Sequence, residues 1–411
     1  MGLRSYIITR ILLTIPMIML LLSIVFLIIR VMPGDPVLLH FEKKASEEAM
    51  EAMRHNLGLD KPLHIQYFEY LVGLLHGDLG RSMQDFSPVS DQIFSAFPAT
   101  LELAICSTFI AVTIGILLGV RASQSYNSLQ DHSIRAFGTA VYAIPIFFLG
   151  MIFQLIFAIN LRWLPANGRF PPFLTEPSGL TLYLSEPVGG FVQVFMWSFP
   201  AGLALWVICF VALKKKRVKF WLKGFFTSLL ALLAGWIIYA CLAWHFMCVG
   251  VLHMSTGLFM IDSLMEGSPL NFIESLRYLF LPSLTLGLVL SGVFIRLTRS
   301  NMLETLRLDF VTAAKARGLK ETVVVYGYAL RNAFLPILTM MGLQFATLLG
   351  GAILTETTFS WPGLGRYLVD RINFRDYTAI QGAVVYFALI VAAVNLAVDI
   401  LYAYLDPRIR F

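Results

Sequence analysis

Eight long apolar runs constrain this chain more than any other feature of its sequence. Each holds about 18 or more residues with almost no charge, and a helix of that length, rising about 1.5 Å per residue, crosses the hydrocarbon core of a bilayer. The backbone has to satisfy its own polar groups within hydrocarbon, so the runs predict helices. The predicted spans cover residues 11–29, 99–120, 136–159, 192–213, 225–250, 278–295, 335–353 and 378–401.

The composition indicates the same class of protein. Hydrophobic residues make up 58% of the chain and charged residues only 14%, whereas about 25% of the residues in a typical soluble domain are charged. We therefore predict an all-α polytopic membrane protein with about eight spanning helices. The first run follows Arg4 and Arg10 but has full bilayer length and no small-residue cleavage site after it, which indicates an anchor rather than a signal peptide.

The basic residues predict the orientation of the chain. Lys and Arg concentrate in alternate connecting segments, chiefly residues 214–223 and 296–331, and such an excess is typical of cytoplasmic loops. This predicts that both termini are cytoplasmic, including a short tail at residues 406–411. Anionic lipid headgroups would neutralise the basic run at 214–223, so membrane lipids are expected partners and nucleic acid is not.

Residues 1–98 are predicted to form an N-terminal anchor helix and then the longest soluble stretch, on the extracytoplasmic side. Within this stretch residues 46–58 predict a short helix, because Ser46 suits the N-cap, Glu47 suits the positive end of the helix dipole, and Gly58 suits the end of a helix. Two roles for this helix stay open: packing on the outer membrane surface, or contact with a soluble partner.

A polar, basic interruption between two predicted spans, residues 309–321 with the sequence DFVTAAKARGLKE, indicates a docking element. We call it the Gly318 loop. Its small residues, among them Ala313 and Ala314, let another surface approach closely, and Gly318 divides it into two short helical pieces. Arg317 and Lys320 can pair with acidic groups on a partner. The alternative is an ordinary loop lying on the membrane surface.

Sequence motifs for several catalytic chemistries are missing. The chain has no Gly-x-x-x-x-Gly-Lys-Ser/Thr phosphate loop, no His-Glu-x-x-His zinc pair and no Gly-x-Ser-x-Gly nucleophile turn, so we expect neither an enzyme nor a cofactor. Ionisable residues within the spans are few, which argues against a secondary transporter. Cys241, His245 and Cys248 share one helix face and could bind a soft metal, but a fourth ligand is missing, so ordinary small apolar side chains are favoured.

A series of short motifs, in order along the chain, resembles one known family. The motifs are RVMPGDP at 30–36, LGLDKP at 57–62, GDLGRS at 77–82, PATLEL at 98–103, LTRSNML at 297–303, ALRNA at 329–333, ETTFSWPGLGR at 356–366 and DPR at 406–408. Together they are similar to the inner-membrane permease subunits of ABC importers of the dipeptide/oligopeptide/nickel type.

The resemblance implies an ABC type-1 transmembrane domain at residues 99–405 and a role for the Gly318 loop. In the family a Glu-Ala-Ala-x-x-x-Gly signature forms a cytoplasmic helix that fits a groove on the ATPase subunit. Ala313, Ala314 and Gly318 hold the matching places, with Arg317 and Lys320 beside them. Two positions depart from the pattern: Thr312 stands where the glutamate would be, and Tyr328 where peptide-type members usually carry a histidine.

The resemblance also implies an outer-loop motif that faces an extracytoplasmic substrate-binding protein. Its residues are Glu356, Trp361, Pro362, Gly363, Gly365 and Arg366, and we call residues 356–366 the outer motif. Family members generally have about six spans in this subunit, so the predicted hairpin at about residues 192–250 is an addition. Peripheral packing is the favoured role for the hairpin, with lipid anchoring or contact with an accessory subunit as alternatives.

These features predict half of a translocation path rather than a catalyst. The expected partners are a second homologous permease subunit, two ABC ATPase subunits and the substrate-binding protein. Di- or oligopeptides are the first expectation for the substrate, with oligosaccharides or nickel as alternatives. An ATP-independent secondary carrier or channel is the alternative function.

Overall fold

The computed structural model describes residues 3–31, 46–56, 58–169, 256–265, 269–350 and 352–405. The chain divides into two compact units, one formed by Met1–Arg169 with Arg277–Phe411 and the other by Phe170–Leu276. Within the described ranges the secondary structure is helical, apart from an isolated antiparallel bridge between Arg81 and Pro88. The predicted all-α fold is confirmed.

Thirteen α-helices are named here in chain order, and two of them adjoin a π-helical turn. Gln154–Asn160 continues α6, and Val323–Ala329 leads into α10. The helices are α1 Leu3–Val31, α2 Glu47–Asn56, α3 Leu63–Leu75, α4 Val89–Gln124, α5 Leu129–Ala143, α6 Ile146–Phe153, α7 Phe259–Met265, α8 Pro269–Thr305, α9 Asp309–Ala316, α10 Leu330–Leu349, α11 Ile353–Thr358, α12 Leu364–Asn373 and α13 Tyr377–Leu405.

The long apolar helices lie where the apolar runs predict them. Four helices in the described part of the chain are long and apolar enough to cross a membrane: Val89–Gln124, Asn271–Thr305, Val323–Leu349 and Tyr377–Ile400. The apolar part of α1, Leu12–Ile28, is shorter. The predicted hairpin at 192–250 lies outside the described residues, and so do the tail at 406–411 and the possible metal ligands Cys241, His245 and Cys248.

The span predicted at residues 136–159 is not a single straight helix. α5 and α6 meet at an angle of 99°. The cause is Pro145, which lacks an amide hydrogen and disfavours helical backbone in the residue before it. Ile144 accordingly adopts φ −75° and ψ 129°, which is extended. The pair is a broken span or a re-entrant segment.

Close helix packing holds α4 against α8. Gly115 and Gly119 lie one turn apart on α4, and a Cβ atom at Gly115 would come within 2.2 Å of the Phe294 Cβ atom. Thr298 lies similarly close to Gly119. Small residues at this spacing let two membrane helices approach backbone to backbone. Because 115 faces 294 and 119 faces 298, the two helices run in the same direction.

The start of α1 and the last turns of α13 lie on the same side of the helix bundle as the Gly318 loop. Arg10 on α1 forms an ion pair with Asp399 on α13, 3.3 Å between the Arg10 Nη1 and Asp399 Oδ2 atoms. α10 and α13 run antiparallel, with Gly342 against Val398 and Gly350 against Val391. The start of α10 and the end of α13 therefore share one end of the bundle.

The short helix predicted from Ser46 is also present. α2 covers Glu47–Asn56, and Gly58 follows it with a φ of +63°. The Gly58 amide donates to the His55 carbonyl and the Leu59 amide donates to the Arg54 carbonyl. These two bonds satisfy carbonyl groups that the end of a helix leaves free.

Candidate functional site

The Gly318 loop contains a helix with two different faces. α8 ends at Thr305, and α9 begins at Asp309. Val311 and Ala314 are only 0% and 4% exposed, and they belong to a cluster of buried apolar side chains from three other segments. The other members of this cluster are Val120, Met302, Val324, Val325, Ala329 and Ala333. α9 is thus packed along one side onto the end of the bundle.

The opposite face of α9 is open to contact. Four of the five residues predicted for docking are exposed, namely Ala313, Arg317, Gly318 and Lys320. Ala314 is the exception, because it faces the bundle. Its small side chain lets α9 pack closely on the other helices of this chain and does not face a partner.

The backbone conformation at position 318 requires a glycine, whereas the space around it would admit a side chain. Its φ is +70°, a region that side-chain-bearing residues other than Asn and Asp rarely adopt, while a Cβ atom there would meet nothing within 4 Å. The Gly318 amide donates to the Lys315 carbonyl and the Arg317 amide donates to the Ala313 carbonyl. Gly318 therefore ends α9 and turns the chain toward α10, as predicted.

Exposed apolar side chains surround the basic residues of the loop. Four apolar side chains of this region lie outside the core of the bundle and are each more than a third exposed: Leu308, Phe310, Leu319 and Val323. The sequence-based prediction included only the small and basic residues. The signal was available, because Leu308 and Phe310 flank Asp309 at the start of α9. An exposed apolar surface with a polar rim is typical of a site that contacts another protein or the membrane.

A buried ion pair lies at the same end of the bundle. Both oxygens of Asp131, on α5, accept hydrogen bonds from Arg299, on α8, at 2.6 Å and 2.7 Å. Asp131 is fully buried and also accepts a bond from the Asn127 amide. Arg299 belongs to the LTRSNML motif, but its partner was not predicted. A bidentate pair of this type fixes both the distance and the orientation of two helices.

The outer motif is mostly internal. Glu356, on α11, is fully buried, and its two oxygens accept hydrogen bonds from the Thr100 hydroxyl at 2.7 Å and the Arg366 amide at 3.0 Å. The Leu364 amide in turn donates to the Thr100 oxygen at 2.8 Å. Burial raises the pKa of Glu356, while the hydrogen bonds from Thr100, Arg366 and Gly365 oppose that rise. These bonds join the segment around α11 and α12 to α4.

Glycines make this arrangement possible. A Cβ atom at Gly363 would lie 2.5 Å from the Glu356 carboxyl carbon and 2.5 Å from the Thr100 oxygen. One at Gly365 would lie 2.8 Å from the Ile353 Cα atom. The two predicted glycines thus serve to admit the Glu356 carboxylate.

Trp361 connects the outer motif to a second charged pair. Its indole nitrogen donates to the Ala99 carbonyl at 2.8 Å, and the Arg169 guanidinium lies 5.6 Å from the centre of its ring. Arg169 also donates to Glu102 at 2.6 Å, with both side chains almost completely buried. The hydrogen bond to Ala99 and the contact with Arg169 hold the Trp361 side chain in place, and with it the backbone on either side. Of the six predicted motif residues, only Pro362 and Arg366 present surface.

Among the described residues no three His, Cys, Asp or Glu side chains come together as a possible metal site. The charged groups Asp131, Glu356 and Arg169 are engaged with other side chains or with the backbone. These contacts hold helix ends in fixed positions at two opposite ends of the bundle.

Comparison with known proteins identifies the family. A family model described as binding-protein-dependent transport system inner membrane component matches residues 111–411, and the corresponding N-terminal model matches residues 3–104. The di/tripeptide transport system permease protein DppB of Pseudomonas aeruginosa (strain UCBPP-PA14) is 35% identical over 407 residues, covering 99% of this chain and 98% of the relative. The dipeptide transport system permease protein DppB of Escherichia coli (strain K12) is 34% identical over 409 residues, with 99% and 98% covered.

A third relative, the glutathione transport system permease protein GsiC of Salmonella choleraesuis (strain SC-B67), is 31% identical over 407 residues, covering 99% of each chain. The membrane-length helices, together with these matches, define a multi-pass membrane transport permease. The chain belongs to the family of inner-membrane permease components of binding-protein-dependent ABC importers. The predicted resemblance and the location in the cytoplasmic membrane are confirmed, and family membership favours this role over an ATP-independent carrier or channel.

Proposed function

We propose that this chain forms half of the translocation path of an ATP-driven importer for di- and tripeptides. The substrate is supported by the relatives, two of which are named for dipeptides or tripeptides and one for glutathione, itself a small peptide. A second, homologous permease would supply the other half of the path. Two ABC ATPase subunits would supply the energy, and an extracytoplasmic substrate-binding protein would deliver the peptide.

The two-faced helix α9 is the observation that carries the coupling role. Its inner face, Val311 and Ala314, is packed against the bundle, so a force applied to the exposed face moves the helix ends beneath it. The exposed face presents Ala313, and the exposed residues Arg317 and Lys320 follow the end of the helix. We place the ATPase contact there, and with it the cytoplasm at this end of the bundle. Both termini of the chain would then be cytoplasmic.

A tryptophan on the exposed face tests this assignment. Ala313→Trp places a large group on that face and should abolish peptide-stimulated ATPase activity of the reconstituted importer, while the subunit still inserts and resists heat like the wild type. Ser95→Trp, at an exposed position near the opposite end of α4, is the matched control and should leave the activity unchanged. Full ATPase stimulation in the Ala313→Trp importer would refute the assignment.

Ala314→Trp separates docking from internal packing. Ala314 is buried in the cluster beneath α9, so a tryptophan there should lower the thermal unfolding midpoint of the subunit itself. Ala313→Trp should not. Equal thermal stability of the two variants would contradict the orientation of α9.

The substrate class has its own test. The reconstituted importer, supplied with its binding protein and ATP, should accumulate labelled alanyl-alanine, and unlabelled di- and tripeptides should compete. Free alanine, maltotriose and Ni²⁺ serve as controls that should not compete. Competition by one of the controls instead of the peptides would replace the proposed substrate without affecting the coupling assignment.

For the outer motif we propose a supporting role in contact with the binding protein. Pro362 and Arg366 have exposed surface, and Arg366 is held by a 2.6 Å bond from its side chain to the Ser360 carbonyl. The buried residues Glu356 and Trp361 fix the backbone that presents them. The motif would thus offer a rigid surface to the partner instead of a flexible loop.

A further inference from the structure

α3 lies in the stretch that the sequence predicts to be soluble, yet its surroundings are apolar. One face carries Tyr67, Tyr70, Leu71 and Leu74. The ring of Phe26 on α1 lies 5.2 Å from that of Tyr67 and 5.4 Å from that of Tyr70, measured between centroids. α3 therefore packs against a helix whose residues Leu12–Ile28 form an apolar segment.

The contacts with α1 indicate how deep α3 lies. The Ser23 and Tyr67 hydroxyl groups are hydrogen-bonded at 2.6 Å. Ser23 is five residues inside the apolar segment that ends at Ile28, which corresponds to about 8 Å along the helix axis. Tyr67 consequently lies beside the apolar part of α1 and not beyond the end of that segment.

The contacts with α13 give a second and independent measure of depth. Leu71 and Leu74 belong to an apolar cluster built around Leu22, Val25 and Val385. Val385 lies eight residues inside the membrane-length helix Tyr377–Ile400, or about 12 Å from its first residue. α3 thus lies beside the apolar parts of both helices, toward the end of the bundle that is remote from the Gly318 loop.

The exposed side of α3 carries an apolar stripe, with the exposed residues His64 and Glu69 beside it. Ile65, Phe68, Val72 and Leu75 follow one another at helical spacing, and Phe68 and Leu75 are 67% and 86% exposed. The exposed apolar side chains of α1, such as Leu20 and Ile24, extend the same kind of surface along the membrane segment. A water-facing helix of this composition would expose a large apolar area without compensation.

We propose that α3 is embedded in the outer leaflet and that its exposed stripe contacts lipid acyl chains. The helix would lie in the membrane without crossing it, with the ion pair between Lys61 and Glu69 (2.6 Å) at the level of the headgroups. The extracytoplasmic segment is then anchored to the bilayer by α3 in addition to α1. The occupant of the stripe is lipid, and neither the second permease nor the binding protein covers it.

Site-directed spin labelling in the complete importer, reconstituted in phosphatidylcholine/phosphatidylglycerol vesicles, tests the proposal. The four native cysteines are replaced by serine or alanine, and nitroxides are placed by Phe68→Cys and Leu75→Cys. Leu20→Cys on α1 is the lipid-facing control and Glu47→Cys on α2 the water-facing control. At 68 and 75 we expect relaxation by dissolved oxygen to exceed relaxation by a soluble nickel chelate, as at Leu20. A pattern like that of Glu47, or protection from both reagents, would overturn the proposal.

A second measurement avoids the cysteine substitutions. A photoreactive benzoylphenylalanine at position 68 preserves the aromatic character of Phe68 and keeps the native cysteines. Irradiation of the assembled importer should yield lipid adducts of this subunit, detected by intact mass. A cross-link to another protein of the assembly as the main product would overturn the proposal.

Discussion

The surroundings of one carboxyl group, Glu356, determine how the outer motif responds to pH. Its oxygens accept bonds from a hydroxyl and from backbone amides, and no Lys or Arg of the described ranges forms an ion pair with it. Burial raises its pKa above the ordinary value of 4.5. A raised pKa in the folded state means that protonation favours folding, so this contribution is present at low pH and is lost as the pH rises through the raised pKa.

Glu356→Gln should weaken that dependence. In the wild type the thermal unfolding midpoint of the detergent-solubilised subunit should fall, through this group, as the pH is raised from about 4.5 through the raised pKa. A glutamine side chain does not titrate, so the fall should be smaller in the variant, at the cost of about 1 kcal/mol for one imperfect hydrogen bond. Parallel pH profiles for the two proteins would contradict this account of Glu356.

Gly318 provides a second prediction at the residue scale. Its left-handed backbone costs other residues about 1–2 kcal/mol, but Asn tolerates this conformation better than a β-branched residue does. Because a Cβ atom meets no neighbour there, Gly318→Asn should keep most of the peptide-stimulated ATPase activity, whereas Gly318→Val should lose it. If the two variants were equally inactive, the requirement at 318 would be for space at the partner and not for conformation.

Pairs of helices, rather than single residues, determine the geometry beneath the Gly318 loop. α8 is held to α4 by close glycine contacts and to α5 by the Asp131–Arg299 pair. The bend at Pro145 then directs α6 away from the line of α5. α8 is therefore the helix through which neighbouring helices are positioned, and it ends where the Gly318 loop begins.

Removing one partner of the buried pair should be much worse than removing both. Arg299→Met leaves the fully buried Asp131 carboxylate without its cation, a change that costs about 3–5 kcal/mol in comparable sites. Adding Asp131→Asn should restore part of the lost thermal stability, and a double-mutant cycle gives the coupling energy. Arg296→Met, one turn earlier on α8, is the matched control. Additive effects of the two single changes would show that the pair is not coupled.

At the scale of the whole molecule, the composition and the apolar runs predicted a helical membrane protein and the positions of the described long helices, because a chain crossing hydrocarbon has to form its backbone hydrogen bonds internally. They did not predict the break at Pro145, since the apolar run continues across it. The bond between Thr100 and Glu356 joins residues 256 positions apart, and that between Asp131 and Arg299 residues 168 apart. Such pairings depend on tertiary packing. The burial of Ala314 was missed for the same reason, because an alanine suits either face of a short helix.

One helix, α4, takes part in the arrangements at both ends of the bundle. Its residue Thr100 holds the Glu356 carboxylate, and its residue Val120 lies in the cluster beneath α9. The two positions are about 20 residues apart on an unbroken helix, roughly 30 Å. A stiff rod of this length cannot shift at one end alone. With the ATPase contact proposed at the Gly318 loop, a movement driven by nucleotide hydrolysis would therefore reach the outer motif, on the other side of the membrane, through a single helix.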